Sequence, residues 1–237
     1  MSGKAYGLFC PISKACEVIE PRWTLQILAE MGGGATRFNE IRRGIPGISP
    51  SLLSKRLKEM EQQGLVEKSK NSANGTVDYV RTDRALELHP IMVALGEWAQ
   101  RNIDPEIALC DKDARTLMWY VRRKINVGEL PKKRTVMRFH FVDAPSGENR
   151  FWLVAKPGLP VDLCLSNPGH DVDLYIDTEV PILTGVLMGR CSLRGAIAQD
   201  LIRLSGARNL SRTIGKWLTL SRFAKTSGIV RMENGTV

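Results

Sequence analysis

The stretch GISPSLLSKRLKEMEQQG, residues 47 to 64, constrains the fold more than any other part of the chain. Ser49 carries a side-chain oxygen where a helix N-cap needs one. Pro50 fits the first helical position, where its missing N–H costs nothing, and Gly64 fits the stop. Leu53, Leu57 and Met60, with Leu52 beside them, recur at helical spacing and predict a buried face. Ser51, Ser54, Lys55 and Lys58 are left on the outer face. LVEKSK and TVDYVRT follow as two short strands around Asn74 and Gly75, a strong hairpin signal. Upstream, Thr36 is placed to cap a short helix holding Phe38, Ile41, Arg42 and Arg43, which the Ile-Pro-Gly of 45 to 47 ends. Helix, turn, helix and hairpin thus follow one another over residues 36 to 82.

The rest of the chain reads in two styles. Residues 11 to 19 predict a first helix. A second starts near Arg22, with Trp23, Ile27 and Met31 as its buried stripe, and ends in Gly32-Gly33-Gly34. That glycine run lacks the Gly-Lys-Ser/Thr ending of a phosphate-binding loop and reads as a helix stop. Residues 83 to 103 are helical and restart at Pro90. Their stripe of Leu88, Ile91, Leu95, Trp98 and Asn102 suits either an intramolecular core or a dimer face. Asp104-Pro105 marks a domain boundary. Beyond it come a helix over 112–126 with Ala114, Leu117, Met118, Val121 and Ile125 on one face, and strands over 134–142, 150–156, 160–166 and 171–177. Helices over 179–189 and 192–199, a strand over 200–205 and a last helix over 207–223 complete the pattern, with a frayed tail from Thr226. The fold class is therefore α+β, with a mostly antiparallel sheet in the second half. The expected domains are 1–104, 105–225 and a flexible 226–237.

With 237 residues, 43% of them hydrophobic, the chain can bury one large core or two ordinary ones. The net charge of +9 favours an acidic partner. It is unevenly spread: residues 1–104 carry 14 Lys/Arg against 12 Asp/Glu, whereas 37–70 alone carry eight against four. The five cysteines are scattered, with no Cys-x-x-Cys pair, which argues for reduced thiols and a cytoplasmic protein. The N-terminus shows no signal-peptide pattern, and no long apolar segment predicts a membrane span. No metal site or cofactor is expected: the three histidines lie far apart, and Asp171, Asp173 and Asp177 suit the wet face of a strand. Nucleophile elbows, HExxH and GxGxxG motifs are absent from the sequence, so an enzyme is not expected.

The order of these motifs over Cys10 to about Trp98 resembles the HxlR-type branch of the MarR-like winged-helix regulators. The resemblance rests on CPISKACEVI, RWTLQIL, RFNEIRRGIPGISPSLLSKRLKEMEQQGLVEK and PIMVALGEW. It implies a homodimeric transcriptional regulator whose second helix-turn-helix helix enters the major groove of a double-stranded operator while the wing meets the backbone. By position, Ser49, Pro50, Ser51, Ser54, Lys55 and Lys58 become the groove candidates, flanked by Arg37, Arg42 and Arg43, with Lys70 and Asn71 near the wing tip. Some such regulators sense oxidants or electrophiles through a thiol at the Cys-Pro position, which makes Cys10 a candidate thiol sensor, while Cys16 is expected to be buried. The second half is similar to the sterol-carrier-protein-like fold, in FWLVAKPGLPVDLCLSNPGHDVDLYID, the Leu187-Met188-Gly189 helix and DLIRLSGARNLSRTIGKWL. That resemblance implies an apolar small-molecule effector. Its pocket is expected to be lined by Phe139, Phe141, Trp152, Val154, Leu163, Leu165, Leu183, Leu187 and Met188. The alternative is an oligomerisation or partner-binding module without a ligand.

Overall fold

The computed structural model describes residues 6–70, 76–105 and 113–232, which form two compact units, Met1–Leu95 and Gly96–Val237. The first holds α1 (Pro11–Ile19), α2 (Thr24–Gly32), α3 (Phe38–Gly44), α4 (Pro50–Gln62), strands β1 (Val66–Lys70) and β2 (Val77–Arg81), and α5 (Asp83–Leu86). Helix α6 (His89–Asn102) begins in the first unit and ends in the second. Ile27, Leu28, Ile41, Leu53, Leu57 and Met60 are at most 1% exposed and pack in one core. In α4 the spacing of four and then three residues stacks Leu53, Leu57 and Met60 along one stripe. Leu52 falls off that stripe and is 36% exposed, correcting its expected place beside the core.

Two further details of this unit differ from the sequence reading. Helix α2 starts at Thr24, because Trp23 stands in the left-handed region at φ 81° and cannot be helical. The N-cap of α3 is Arg37 and not Thr36. Glu40 accepts from the backbone N–H groups of both Thr36 and Arg37, while Thr36 accepts from the Tyr79 N–H at 2.7 Å and so fastens the hairpin. The hairpin strands fall within a residue of the expected runs, and Lys70 pairs with Val77 at their far end. Asn74 and Gly75 lie outside the described residues, as does Cys110. In α6, Ile91, Leu95 and Trp98 are 49%, 47% and 56% exposed, so within one copy of the chain they are not core.

The second unit holds α7 (Ala114–Arg122), β3 (Thr135–Phe141), β4 (Arg150–Ala155), β5 (Asp162–Cys164), β6 (Leu174–Thr178), α8 (Val180–Leu187), α9 (Leu193–Ala198), β7 (Ile202–Gly206), α10 (Arg208–Arg212) and α11 (Ile214–Trp217). Its sheet runs β5-β4-β3-β6-β7, antiparallel except for the β3–β6 pair. Cross-strand partners share a face. Phe139 opposes Phe151 and Met137 opposes Leu153, so these four, with Phe141 and Leu163, meet the apolar sides of α7 and α8 in one core. Trp152 opposes Arg138 and Val154 opposes Val136, which turns them to the other face. A one-residue offset between β3 and β4 is enough to separate residues that both read as apolar alternation.

The helix expected over 112–126 ends at Arg122, and Ile125 instead bridges Leu218 in extended conformation. The helix expected over 207–223 is broken at Thr213, and the chain turns so that the fully buried Trp217 can donate its indole N–H to the Leu210 carbonyl. The tail is fastened as far as residue 232. Arg190, only 2% exposed, donates from Nε to Gln100 Oε1 and from Nη1 to the carbonyls of Ile103 and Val230. Val230 N–H returns to the Gln100 carbonyl, and Met232 N–H to that of Arg190. Burial pushes the Arg190 pKa down, so each of these acceptors matters. Deleting residues 226–237 is expected to lower the stability of this unit by about 2 kcal/mol, because a buried cation loses acceptors. Urea unfolding checks this, and a frayed tail would give no change.

Candidate nucleic-acid interface

Helix α4 owes its placement to a polar brace at its middle. Arg56 is buried and donates from Nη2 to Thr24 Oγ1 at 2.6 Å, while its Nη1 pairs with Glu59 one turn on. Thr24 in turn donates to the Pro21 carbonyl at 2.6 Å. This chain of bonds ties the start of α2 to α4 across the core. It also fixes Trp23, whose backbone conformation costs about 1–3 kcal/mol for a bulky side chain and persists only where its surroundings impose it. Ser49 accepts from the Leu52 N–H at 3.2 Å and caps the helix, as its position in the sequence suggested.

The outward side of α4 presents Ser51, Ser54, Lys55 and Lys58, all exposed, together with Ser49 and Pro50 at its start. Arg42 and Arg43 close α3 and, with Asn39, Ile45, Pro46, Gly47 and Ile48, line an open groove of about 500 Å3 beside the α3–α4 turn. Arg37 is exposed, but it lies 3.7 Å from Asp78 on β2 and so couples α3 to the hairpin. Lys70 ends β1 on an exposed strand, and Asn71 lies outside the described residues. The hairpin is fastened at its base by Thr82, which donates to the Gly64 carbonyl at 2.6 Å, and by the Lys68–Glu61 ion pair at 2.7 Å. That pair raises the Lys68 pKa through its hydrogen bond to Glu61, so the ammonium stays charged. These exposed residues are rich in cations and hydroxyls and are carried by a capped helix and two braced flanks. Such groups can neutralise phosphates and donate to base edges.

Sequence reasoning missed a second groove, on the other side of Gly47. It is lined by Arg22, Trp23, Gly47, Leu52, Lys55, Arg56 and Glu59, with a volume of about 380 Å3. Trp23 reads as part of a buried helical stripe, Arg22 as the start of that helix, and nothing local singles out Arg56. The available signal was the partnership of Thr24 with an arginine 32 residues later, which no local pattern reveals.

A family model described as HxlR-like helix-turn-helix matches residues 18–107. The HTH-type transcriptional regulator YvaP of Bacillus subtilis is 35% identical over 98 residues, which is 40% of this chain and 91% of that protein. The chain belongs to the HxlR-like helix-turn-helix family. YodB, an HTH-type transcriptional regulator of Bacillus subtilis, is 30% identical over 106 residues, covering 44% of this HxlR-like chain and 95% of YodB. A solved structure of the redox regulator HypR in its oxidized form is 32% identical, covering 40% of this chain and 99% of that one, with a TM-score of 0.38. In these matches the shared part is about the N-terminal two-fifths of the HxlR-like protein.

Of the other expected site residues, Cys10 stands at the N-cap of α1, half-buried. Its thiol pKa is lowered by the backbone N–H groups of Ser13 and Ile12 and by the Ser13 side chain. Cys16 is also half-buried, not fully buried as expected, because α1 buries none of its residues. Burial pushes the Cys191 thiol up to about 11. Among the expected pocket residues, Phe139, Phe141, Leu183 and Leu187 are at most 1% exposed and belong to the core, with Leu163 at its edge. Trp152 and Val154 face away from them, Leu165 is 51% exposed, and Met188 lies beyond the end of α8, where its carbonyl accepts from Gln100. The nine residues therefore do not line one cavity. Asp173 serves the sheet: its carboxylate accepts the Val136 N–H at 2.9 Å and lies 3.4 Å from Lys133.

Thiol reactivity should follow these environments. At pH 7, iodoacetamide should alkylate Cys10 well before Cys191, and the Cys10 rate should level off at a lower pH than that of an unperturbed thiol. Mass-spectrometric mapping checks this, and equal rates at the two positions would contradict it.

Proposed function

We propose that the outward face of α4 reads operator DNA in the major groove, with Ser51, Ser54, Lys55 and Lys58 at base edges and phosphates. The protein is a DNA-binding transcriptional regulator, as its family is, and the observation that carries the detailed reading is the exposure of those four residues on a capped and braced helix. Arg42 and Arg43 flank them at the adjacent turn, and Lys70 extends along the hairpin as the wing contact. Arg37 acts through Asp78 to hold the wing in place.

Exposed cations on a helix cost little to remove from the fold, since they support no core. Replacing Lys55 and Lys58 together by Ala should therefore leave the melting temperature unchanged and reduce operator affinity by about 10² or more, as charge-assisted contacts are lost in both halves of a dimer. Fluorescence anisotropy checks this, and wild-type affinity in the double variant would show that another surface reads DNA.

The exposed stripe of α6 supports a homodimer. Ile91, Leu95 and Trp98 share one helix face, and Phe9 and Ile12 near the N-terminus are 98% and 74% exposed. A single copy leaves these apolar side chains in water, and association through a two-fold axis would cover them. Leu95→Glu should yield a monomer by sedimentation and weaken operator binding. A variant that stays dimeric would place the interface elsewhere.

For the second unit, a mostly antiparallel sheet with helices on its apolar face supports the sterol-carrier-like layout. The packing favours a domain that works through its surface, without an enclosed ligand. Phe141 and Phe151 meet edge to face at 5.9 Å, and Phe139, Leu183 and Leu187 are buried in the same core. A panel of apolar carboxylic acids, aromatics and lipids should leave the melting temperature unchanged. A ligand that raises it and alters operator affinity would restore the effector-sensing role, since coupling between two ligands is reciprocal.

A further inference from the structure

The groove of about 380 Å3 beside α4 is built from three separate segments: the α1–α2 turn supplies Arg22 and Trp23, the α3–α4 turn Gly47, and α4 itself Leu52, Lys55, Arg56 and Glu59. Three cations face one carboxylate there. The Arg22 guanidinium rests over the Trp23 ring, 4.7 Å from its centroid, which holds a flexible exposed side chain at the groove. Arg56 lines the groove from the buried side. Two of its nitrogens are committed to Thr24 and Glu59, and its Nε has no hydrogen-bond partner. Glu59 is held by Arg56 and lies 4.0 Å from Lys55, so its charge is shared between two cations. Arg22 and Lys55 remain as the reachable donors. Leu52 and the indole supply the apolar part of the lining.

We infer that this groove is a phosphate seat, occupied by a phosphodiester of the operator strand that runs beside α4, with the sugar against Trp23 and Leu52. The inference rests on the reading that α4 binds DNA. Lys55 belongs both to the outward face of α4 and to the groove, so a duplex held on that face passes the groove mouth. The donor set is that of a phosphate contact: a planar guanidinium and a mobile ammonium. A deoxyribose presents the apolar surface that an indole and a leucine side chain accept. The groove on the far side of Gly47, with Arg42 and Arg43, lies next along the same surface. DNA contact thus extends to residues of the α1–α2 turn, outside the helix-turn-helix itself. A free phosphate ester offers the same chemistry, and the test separates the two sources.

The experiment measures the affinity of the full-length protein for operator and for unrelated duplex between 50 and 200 mM salt. It compares wild type, Arg22→Ala and Arg22→Lys. For Arg22→Ala the inference expects weaker binding to both duplexes by a similar factor, with the slope of log K against log salt reduced by about 1 per protomer. Arg22→Lys should recover most of the slope, and thermal melting should be unchanged in both variants, because Arg22 is exposed. Parallel titrations use inorganic phosphate at constant ionic strength, read by the fluorescence difference between wild type and Trp23→Phe. If Arg22→Ala leaves the DNA slope unchanged but abolishes saturable phosphate binding, the seat belongs to a free phosphate and the DNA assignment is overturned. If both readouts are unchanged, there is no phosphate seat, while operator binding by wild type keeps the reading of α4 intact. A wild type that binds neither duplex overturns the reading of α4 and the inference with it.

Discussion

The N-terminal unit depends on one buried side chain. Arg56 sits on the inward side of a helix whose opposite side is left to face a ligand, and its guanidinium spans from α4 to the first residue of α2. Arg56 is buried and Glu59 only partly so, and removing the guanidinium costs about 1–3 kcal/mol, because Thr24 and Glu59 lose its hydrogen bonds. The bonds among Arg56, Glu59, Thr24 and Pro21 therefore hold two helices in a single relative orientation. They also hold Trp23 in a conformation that this residue type avoids. Apolar packing of Leu53, Leu57 and Met60 supplies most of the burial, but it is not directional. The arginine brace adds the orientation.

That orientation is what makes an exposed helix face usable. Ser51, Ser54, Lys55 and Lys58 can meet base edges and phosphates only if α4 does not roll about its axis. The roll is restrained on three sides: by the brace at its middle, by the Ser49 cap at its start, and by the hairpin fastened through Thr82 to Gly64 at its end. The hairpin is bound in turn to α3 through Thr36 and Tyr79 and through Arg37 and Asp78. The residues that touch DNA in this account are thus positioned by residues that do not. A substitution at Arg56 or Thr24 is felt at the interface without being part of it.

Much of this architecture was legible from the sequence, because local signals and global packing agree in α4. The cap, the proline, the apolar stripe and the glycine stop each specify the same helix. Where a decision depended on a distant partner, the sequence was silent. The late start of α2 follows from the geometry of Trp23, and the burial of Arg56 from a threonine 32 residues earlier. In the C-terminal sheet every strand was visible in the pattern, yet which alternate residues face the helices depends on register. Phe139 and Trp152 were grouped on apolar character, and pairing through Arg138 puts them on opposite faces. One helix is expected over 207–223, but the burial of Trp217 and the bridge from Ile125 to Leu218 break it into short pieces. The tail held by Arg190 is a similar case, since a polar segment reads as frayed until its buried cation is located.

The most direct test is amide hydrogen exchange along the whole chain, measured with and without an operator duplex. DNA is expected to add protection over residues 50–62, at the α3–α4 turn and on the strands 66–70 and 77–81, with the C-terminal sheet unchanged. Protection confined to residues 113–232, with none over α4, would contradict DNA binding through α4.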